Sequence, residues 1–281
     1  MRALITVLVV TVVCMVMSRS PLAPRWEDSF SGGRSGRSSG RRSGIPRIIV
    51  QTHRYQRLQD VPSPLYEMMT KLRDTHPGWE YRYYNHDEQR EFIKRHMPTR
   101  VLSAYDALNP AYSAARADLF RYVAIYVNGG VYLDCKSGLQ AGRTLNQVAT
   151  ERRLVMAHWP CWAPNARKVG LALGEYVNWF VAAPPSDPML RAVIDRVVEN
   201  IEREQELPLS ARAVGKPAVL HITGPIVFTQ TALAVHTVLY GDSPPTRMVS
   251  DYGLLYEVDG LHPDKMQTWH YARQTSPVVL G

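Results

Sequence analysis

Cysteine is scarce. Cys14, Cys135 and Cys161 are the three in 281 residues, and no CxxC or Cys/His pair stands at ligand spacing. That excludes a disulfide framework and a structural zinc site, although Cys135 and Cys161 could pair in an oxidising compartment. A Gly-rich phosphate loop, a Ser/His/Asp order, a nucleic-acid module, an Asn-x-Ser/Thr glycan acceptor and an internal repeat are all missing. The net charge of +8 is concentrated at one end: Arg2, Arg19, Arg25, Arg34, Arg37, Arg41 and Arg42 face only Glu27 and Asp28 within residues 1–44. The remainder is close to balanced, so the high pI gives no reason to expect a nucleic-acid partner.

Ala3–Met17 is an uncharged apolar run between Arg2 and Arg19. As a helix it would span about 22 Å, short for a bilayer core but within reach of a thin one. Met15, Val16 and Met17 make poor cleavage-site residues before Ser18. Residues 1–18 are therefore expected to be an uncleaved signal anchor, with a cleaved signal peptide and a secreted product as the alternative. The Ser/Gly/Arg-rich stretch that follows has little to bury and reads as a flexible stem over residues 19–44. A single-pass type II protein of the secretory pathway, in the Golgi, is the expectation, with the membrane as its first partner.

Residues 45–281 are long enough for one sizeable core. Ile45–His53 reads as a strand, Pro62–His76 as a helix with Leu65, Met68, Met69 and Leu72 on one face, Trp79–Asn85 as a strand, and His86–Met97 as a charged surface helix. In "AYSAARADLFRYVAIYVNGG" the stripe Leu119, Tyr122, Val123, Tyr126 predicts a helix with a buried face, stopped by Gly129–Gly130. The strand "VYLD" follows at once. Arg153–Trp159 and Asn178–Ala183 are further strand candidates, Asp187–Glu204 is an amphipathic helix with Pro188 in its first turn, and the segment after Thr223-Gly224-Pro225 is helical. Strands alternating with helices predict an α/β sandwich with a largely parallel sheet.

Side-chain alternation along that strand would put Asp134 and Lys136 on one side, where it opens, and Cys135 on the packed side. Ligands of open α/β sheets bind outside the carboxyl ends of strands. The bland reading of Asp134 and Lys136 is an exposed ion pair. Asp118 and Arg121, three apart on the preceding helix, sit among apolar residues and would be buried charges in need of partners. A polyhydroxy ligand has the hydroxyls to supply them.

"SAARADLFRYVAIYVNGGVYLDCKSG" resembles the DXD-containing segment of glycosyltransferase family 32, the group of the fungal α-mannosyltransferases. "IPRIIVQTH", "NWFVAAPPSDPMLRAVID" and "HITGPIVFTQ" resemble further blocks of the family, in order over about residues 45–230. The resemblance implies a GT-A-like, Rossmann-type sandwich, a nucleotide-diphosphate sugar donor, a glycan or glycoprotein acceptor, and transfer of a hexose with retention. It implies that Gln51 and Thr52 lie near the donor nucleotide, that Asp118 and Arg121, with Tyr122 beside them, bind the donor sugar, and that Asp134 is the first DXD acid. The second is Lys136 here, and His53 replaces the usual Trp. A DXD holds Mn²⁺ or Mg²⁺ against the donor diphosphate, whereas two unit cations about 4 Å apart repel by about 4 kcal/mol at an effective dielectric of 20.

Three outcomes stay open. Lys136 itself could contact the diphosphate, making Asp134 and Lys136 the catalytic pair. Asp134 could hold a metal with a C-terminal histidine, His270. Or the chain could be a non-catalytic nucleotide-sugar or carbohydrate-binding protein that kept the fold. Trp159, Trp162 and Tyr176 are candidates for an acceptor platform or for plain core packing, and His221 for the cleft or for structure.

Overall fold

The computed structural model describes residues 44–159, 174–256 and 270–281. The expected anchor and all of the stem but Gly44 lie outside these residues, as do Cys161 and Trp162.

Strand β1 (Ile48–Thr52) runs parallel to β2 (Glu80–Tyr84) on one side, Ile48 opposite Glu80 through Thr52 opposite Tyr84. On its other side it runs parallel to β3 (Gly130–Leu133), with Val50 opposite Tyr132. Strand β5 (Phe180–Ala183) completes the order β2-β1-β3-β5 as an antiparallel edge, Leu133 opposite Phe180. This is the α/β, mostly parallel sheet expected. The run "IIV" in β1 is continuously apolar because both faces of the sheet are covered. Val50, Tyr132, Val181 and Ala183 point into one apolar cluster. Ile49, Val131, Leu133, Phe180 and Ala182 point into the other. A small antiparallel ribbon pairs β4 (Gly138–Leu139) with β6 (Leu254–Leu255).

The helices are α1 (Leu65–Asp74), α2 (His86–His96), α3 (Thr99–Ala107), α4 (Ser113–Asn128), α5 (Pro188–Glu206), α6 (Gly215–Ile222) and α7 (Pro225–Tyr240). Asn85 and Glu88 close a capping box on α2, and Asp187 caps α5 ahead of Pro188, so both starts are written locally. Helix α4 sits in the first cluster with α5 and α7. The apolar segment Gly215–Tyr240 has the length and composition of a membrane span, but most of its apolar window is buried and Thr223–Gly224 divides it into α6 and α7.

Two expectations change. Arg153–Trp159 forms no strand; it makes only isolated bridges, Val155 to Ala182 and His158 to Tyr176 and to Met248. Strand β3 ends at Leu133, and Asp134–Ser137 is a turn closed by the Ser137 amide donating to the Asp134 carbonyl at 2.9 Å. Alternation therefore does not govern Cys135 and Lys136.

The glycine pair sets how α4 meets β3. Gly129 and Gly130 adopt φ of +68° and +100°, conformations unfavourable to side chains. A Cβ on Gly129 would lie 2.7 Å from Pro185 Cδ, and one on Gly130 would lie 2.6 Å from the Ile48 carbonyl oxygen. The helix can thus hand over directly to the central sheet, which brings Arg121 of α4 beside the end of β3.

Candidate active site

Arg121 is the centre of the arrangement. Its Nη2 lies 3.2 Å from Asp118 Oδ1 and 3.1 Å from Asp134 Oδ1, while Nη1 donates to the Asn178 carbonyl at 2.7 Å. The guanidinium carbon stands 4.6 Å from the centroid of the Tyr132 ring, a cation–π distance. Tyr132 Oη donates to Asp134 Oδ1 at 3.0 Å, and Thr52 Oγ1 lies 3.4 Å from the same phenol. Asp118 accepts from Asn178 Nδ2 at 3.0 Å and from Thr223 Oγ1 at 2.9 Å. The buried charges on α4 thus find partners within the protein, rather than waiting for ligand hydroxyls. Buried charges need such satisfaction. Of the three, Asp134 is the most open, its side chain 20% exposed against 7% for Asp118 and 5% for Arg121.

Two cavities of about 150 Å³ each meet here. Arg121, Asp134 and Lys136 line both. The first cavity adds Thr52, His53, Arg54, His86, Cys135 and His270. Arg54, Arg121 and Lys136 face one carboxylate there, Asp134, a balance suited to an anion. The second adds Asp118, Asn178, Glu175 and Lys216, with an aromatic wall of Trp159, Trp179 and Tyr256. Lys136 joins the two, its ammonium 4.5 Å from the Tyr256 ring centroid.

The remaining sequence candidates fall in different places. Gln51 is buried and lines neither cavity. Its amide donates to the carbonyls of Leu133 and Asp134 at 3.3 and 3.4 Å, and Tyr81 donates to it at 2.8 Å, so it holds the end of β3. Tyr122 also lines neither cavity: its hydroxyl donates to the Thr223 carbonyl at 3.1 Å and accepts from Asn178 at 2.8 Å. Cys135 does pack against the Leu65 and Met69 cluster, yet it also lines the first cavity. Tyr176 is enclosed, its ring 3.9 Å from His158 and its hydroxyl bonded to the Pro245 carbonyl; it is core, whereas Trp159 lines a cavity. His221 is exposed and lines neither. Asn178 and Thr223, which clasp Asp118, were not anticipated, although both lie in the blocks "NWFVAA" and "HITGP". Trp179 shares the block of Asn178, whereas Arg54, His86 and Tyr256 carried no local signal.

The described residues do not make a cage for a divalent ion. His270 lines the first cavity with Asp134, but its Nδ1 accepts from the Ala272 amide at 3.2 Å. Asp134 Oδ1 is already shared by Arg121 and Tyr132, and among the described residues no three His, Cys, Asp or Glu gather at metal-binding distance.

Burial pushes the Asp118 carboxyl up to about 6, more than Arg121 and Thr223 lower it; the Asp134 charge adds to the rise and Asn178 opposes it. An unfolded aspartate titrates near 3.9. Folding therefore takes up a proton between these values, and the contribution of this group is full below about pH 4 and lost as pH rises through about 6. Unfolding free energies from urea titrations at pH 4 to 7 are expected to fall with pH more steeply for the wild type than for Asp118→Asn, by up to about 1.4 kcal/mol per pH unit. Parallel curves would show that Asp118 is ionised throughout.

Residues 62–153 match the family model described as "Glycosyltransferase sugar-binding region containing DXD motif". The chain is 31% identical over 134 residues to inositol phosphoceramide mannosyltransferase 3 of Schizosaccharomyces pombe, which covers 48% of this chain and 33% of that protein. It is 34% identical over 96 residues to mannosyl phosphorylinositol ceramide synthase SUR1 of Saccharomyces cerevisiae, covering 34% and 24%. The chain thus spans a third or less of the length of these two relatives. Among solved structures, a PaToxG glycosyltransferase superposes with a TM-score of 0.42 at 12% identity, over 71% of this chain and 75% of that one. Residues 62–153 are thus similar to a glycosyltransferase sugar-binding region of the DXD-containing kind.

Proposed function

We propose that the chain is a glycosyltransferase of GT-A type that moves a hexose from a nucleotide-diphosphate donor to a hydroxyl of a glycan, a glycoprotein or a glycolipid headgroup. What supports this most is the meeting of Arg121, Asp134 and Lys136 at the junction of a basic cavity and an aromatic one. The relatives named above are mannosyl-transferring proteins acting on an inositol phosphoceramide, which makes mannose the first sugar to test. In this reading the donor diphosphate lies in the basic cavity and its sugar near Asp134. The acceptor oxygen bonds to the anomeric carbon as the bond to the diphosphate oxygen breaks. The electron pair leaves with the diphosphate, which also takes the acceptor proton, so retention needs no protein nucleophile. Lys136 stabilises the charge that develops on the leaving group. It does so where a DXD would place a divalent cation, and Arg121, held by Asp118, fixes Asp134 for the sugar hydroxyls.

A second reading, a non-catalytic nucleotide-sugar or carbohydrate binder, is favoured by one observation: Asp118 and Arg121 are already satisfied within the protein. The full chain in detergent, offered a panel of UDP- and GDP-sugars, separates the two. Release of nucleoside diphosphate with at least one donor is the expected result. Saturable donor binding without release from any of them supports the binder. In either case residues 1–18 would tether the domain to a membrane of the secretory pathway, with residues 19–44 as its stem.

A further inference from the structure

The second cavity has a wall that the chemistry at Asp134 does not require. Trp159, Trp179 and Tyr256 surround one corner, with ring centroids 5.5 Å (Trp159–Trp179), 5.4 Å (Trp159–Tyr256) and 5.1 Å (Trp179–Tyr256) apart. Trp159 and Tyr256 meet at 86°, edge to face, so the rings form a corner instead of a closed stack. Trp159 and Tyr256 are half-buried, leaving faces toward the cavity they line. Trp179 is 5% exposed, and its indole Nε1 is enclosed with no hydrogen-bond partner among the described residues. A buried donor without an acceptor calls for an explanation, and a tryptophan N–H in such a place ordinarily finds a partner. The same cavity is lined by the polar groups Asp118, Glu175, Asn178 and Lys216. An apolar wall facing a few convergent polar groups is the composition of a small-molecule site.

We propose that this aromatic corner is the acceptor subsite, shaped for a six-membered polyol ring that lays an apolar C–H face on Trp159 and Tyr256, turns a hydroxyl toward the indole of Trp179, and is fixed by the polar groups of the same cavity. The proposal rests on the glycosyltransferase reading above and deepens it. Two contacts tie the subsite to the reacting centre. The Asp134 amide donates to the Trp179 carbonyl at 2.9 Å, so the wall and the carboxylate move together. The Lys136 ammonium rests over Tyr256, so an occupant of the corner lies beside the cation that faces the leaving group. The basic cavity on the other side of Lys136 remains for the diphosphate.

Saturation-transfer NMR on the full chain in detergent, with methyl α-mannoside as the probe, tests the subsite without turnover. The expected result is saturation concentrated on the protons of one ring face. Trp159→Ala should raise the half-saturating glycoside concentration about ten-fold, or about 1.4 kcal/mol. Trp179→Phe, which keeps a ring and removes the N–H, should raise it about three- to ten-fold, as the loss of one hydrogen bond would. Because Trp159 is half-buried, its truncation is the variant better suited to leave the fold intact, and the wild-type spectrum is informative without any variant. Repeating the titration with an oligosaccharide and with a glycolipid in mixed micelles identifies the source of the ring: tighter binding of either one supports the subsite and names its class. Absence of saturation at tens of millimolar glycoside would overturn the proposal. So would displacement of the glycoside by a nucleoside alone, which would make the corner a base pocket, or an unchanged half-saturation in both variants. Donor hydrolysis without acceptor is scored separately: turnover without glycoside binding sinks the subsite and leaves the enzyme, whereas glycoside binding without turnover of any donor does the reverse.

Discussion

Replacing Lys136 by alanine is expected to lower kcat by about 10²–10³-fold, the range seen when one preorganised charge or donor aimed at a developing anion is removed. The residue lies on the turn after β3, lines both cavities and carries its ammonium over Tyr256. It is half-buried on a loop, so the melting temperature should barely move. The interaction strengthens as charge accumulates on the leaving diphosphate, so the loss should fall on kcat more than on donor affinity. Lys136→Arg keeps the charge but broadens and flattens it, and should recover only part of the rate. Lys136→Asp is the more informative exchange: it restores a second carboxylate two residues after Asp134, and its turnover should become dependent on added Mn²⁺ while the wild type proceeds in EDTA. Progress curves for nucleoside diphosphate release, with and without chelator, decide the matter. If the wild type stops in EDTA and recovers with Mn²⁺, Asp134 holds a cation despite its neighbour and the assigned role of Lys136 is wrong.

Arg121→Met should cost about 3–5 kcal/mol of stability near pH 8, the penalty of leaving buried charge without its partner. The side chain of Arg121 is 5% exposed and bridges two carboxylates. Its loss leaves Asp118 enclosed beside Asp134, with Asn178 and Thr223 as the remaining partners of Asp118. Against a typical domain stability of about 5–15 kcal/mol, such a loss is large enough to lower yield. The pH dependence identifies the cause. Without the guanidinium the Asp118 carboxyl is pushed still higher, so acidification neutralises it and relieves the strain. The deficit of the variant should therefore be smaller at pH 5 than at pH 8. Adding Asp118→Asn should restore part of the stability, since the two residues share one network and their effects do not add. Urea unfolding of the four proteins at both pH values measures this, and a variant as stable as the wild type at pH 8 would show that the cluster is not held by Arg121.

Much of the scaffold was legible in the order of residues. The 3.6-residue stripes gave α1, α4 and α5, Pro188 marked the first turn of α5, and the apolar runs of β1 and β3 announced strands. Helices α3 and α6 escaped notice because Thr99–Ala107 and Gly215–Ile222 are short and begin without a side-chain cap. Arg153–Trp159 misled because an apolar run of strand length needs a neighbour with free backbone groups, and only bridges formed there. Gln51 and Tyr122 illustrate another limit: a motif marks which residues matter, while packing decides whether they face a ligand or hold those that do.

By itself the sequence determined that Asp118 and Arg121 share a helical face, that a glycine pair joins this helix to a strand leading into Asp134, and that Lys136 follows. Spacing of three along a helix and a forced turn are local geometry, which needs no knowledge of the rest of the chain. Only the tertiary structure decided that Asn178 and Thr223 close around Asp118, and that Trp159, Trp179 and Tyr256 form a corner against Lys136. Thr223 is 105 residues from Asp118 in the chain, and no periodicity carries such pairings. They are set by the register of β3 against β5 and by how α4, α6 and α7 pack.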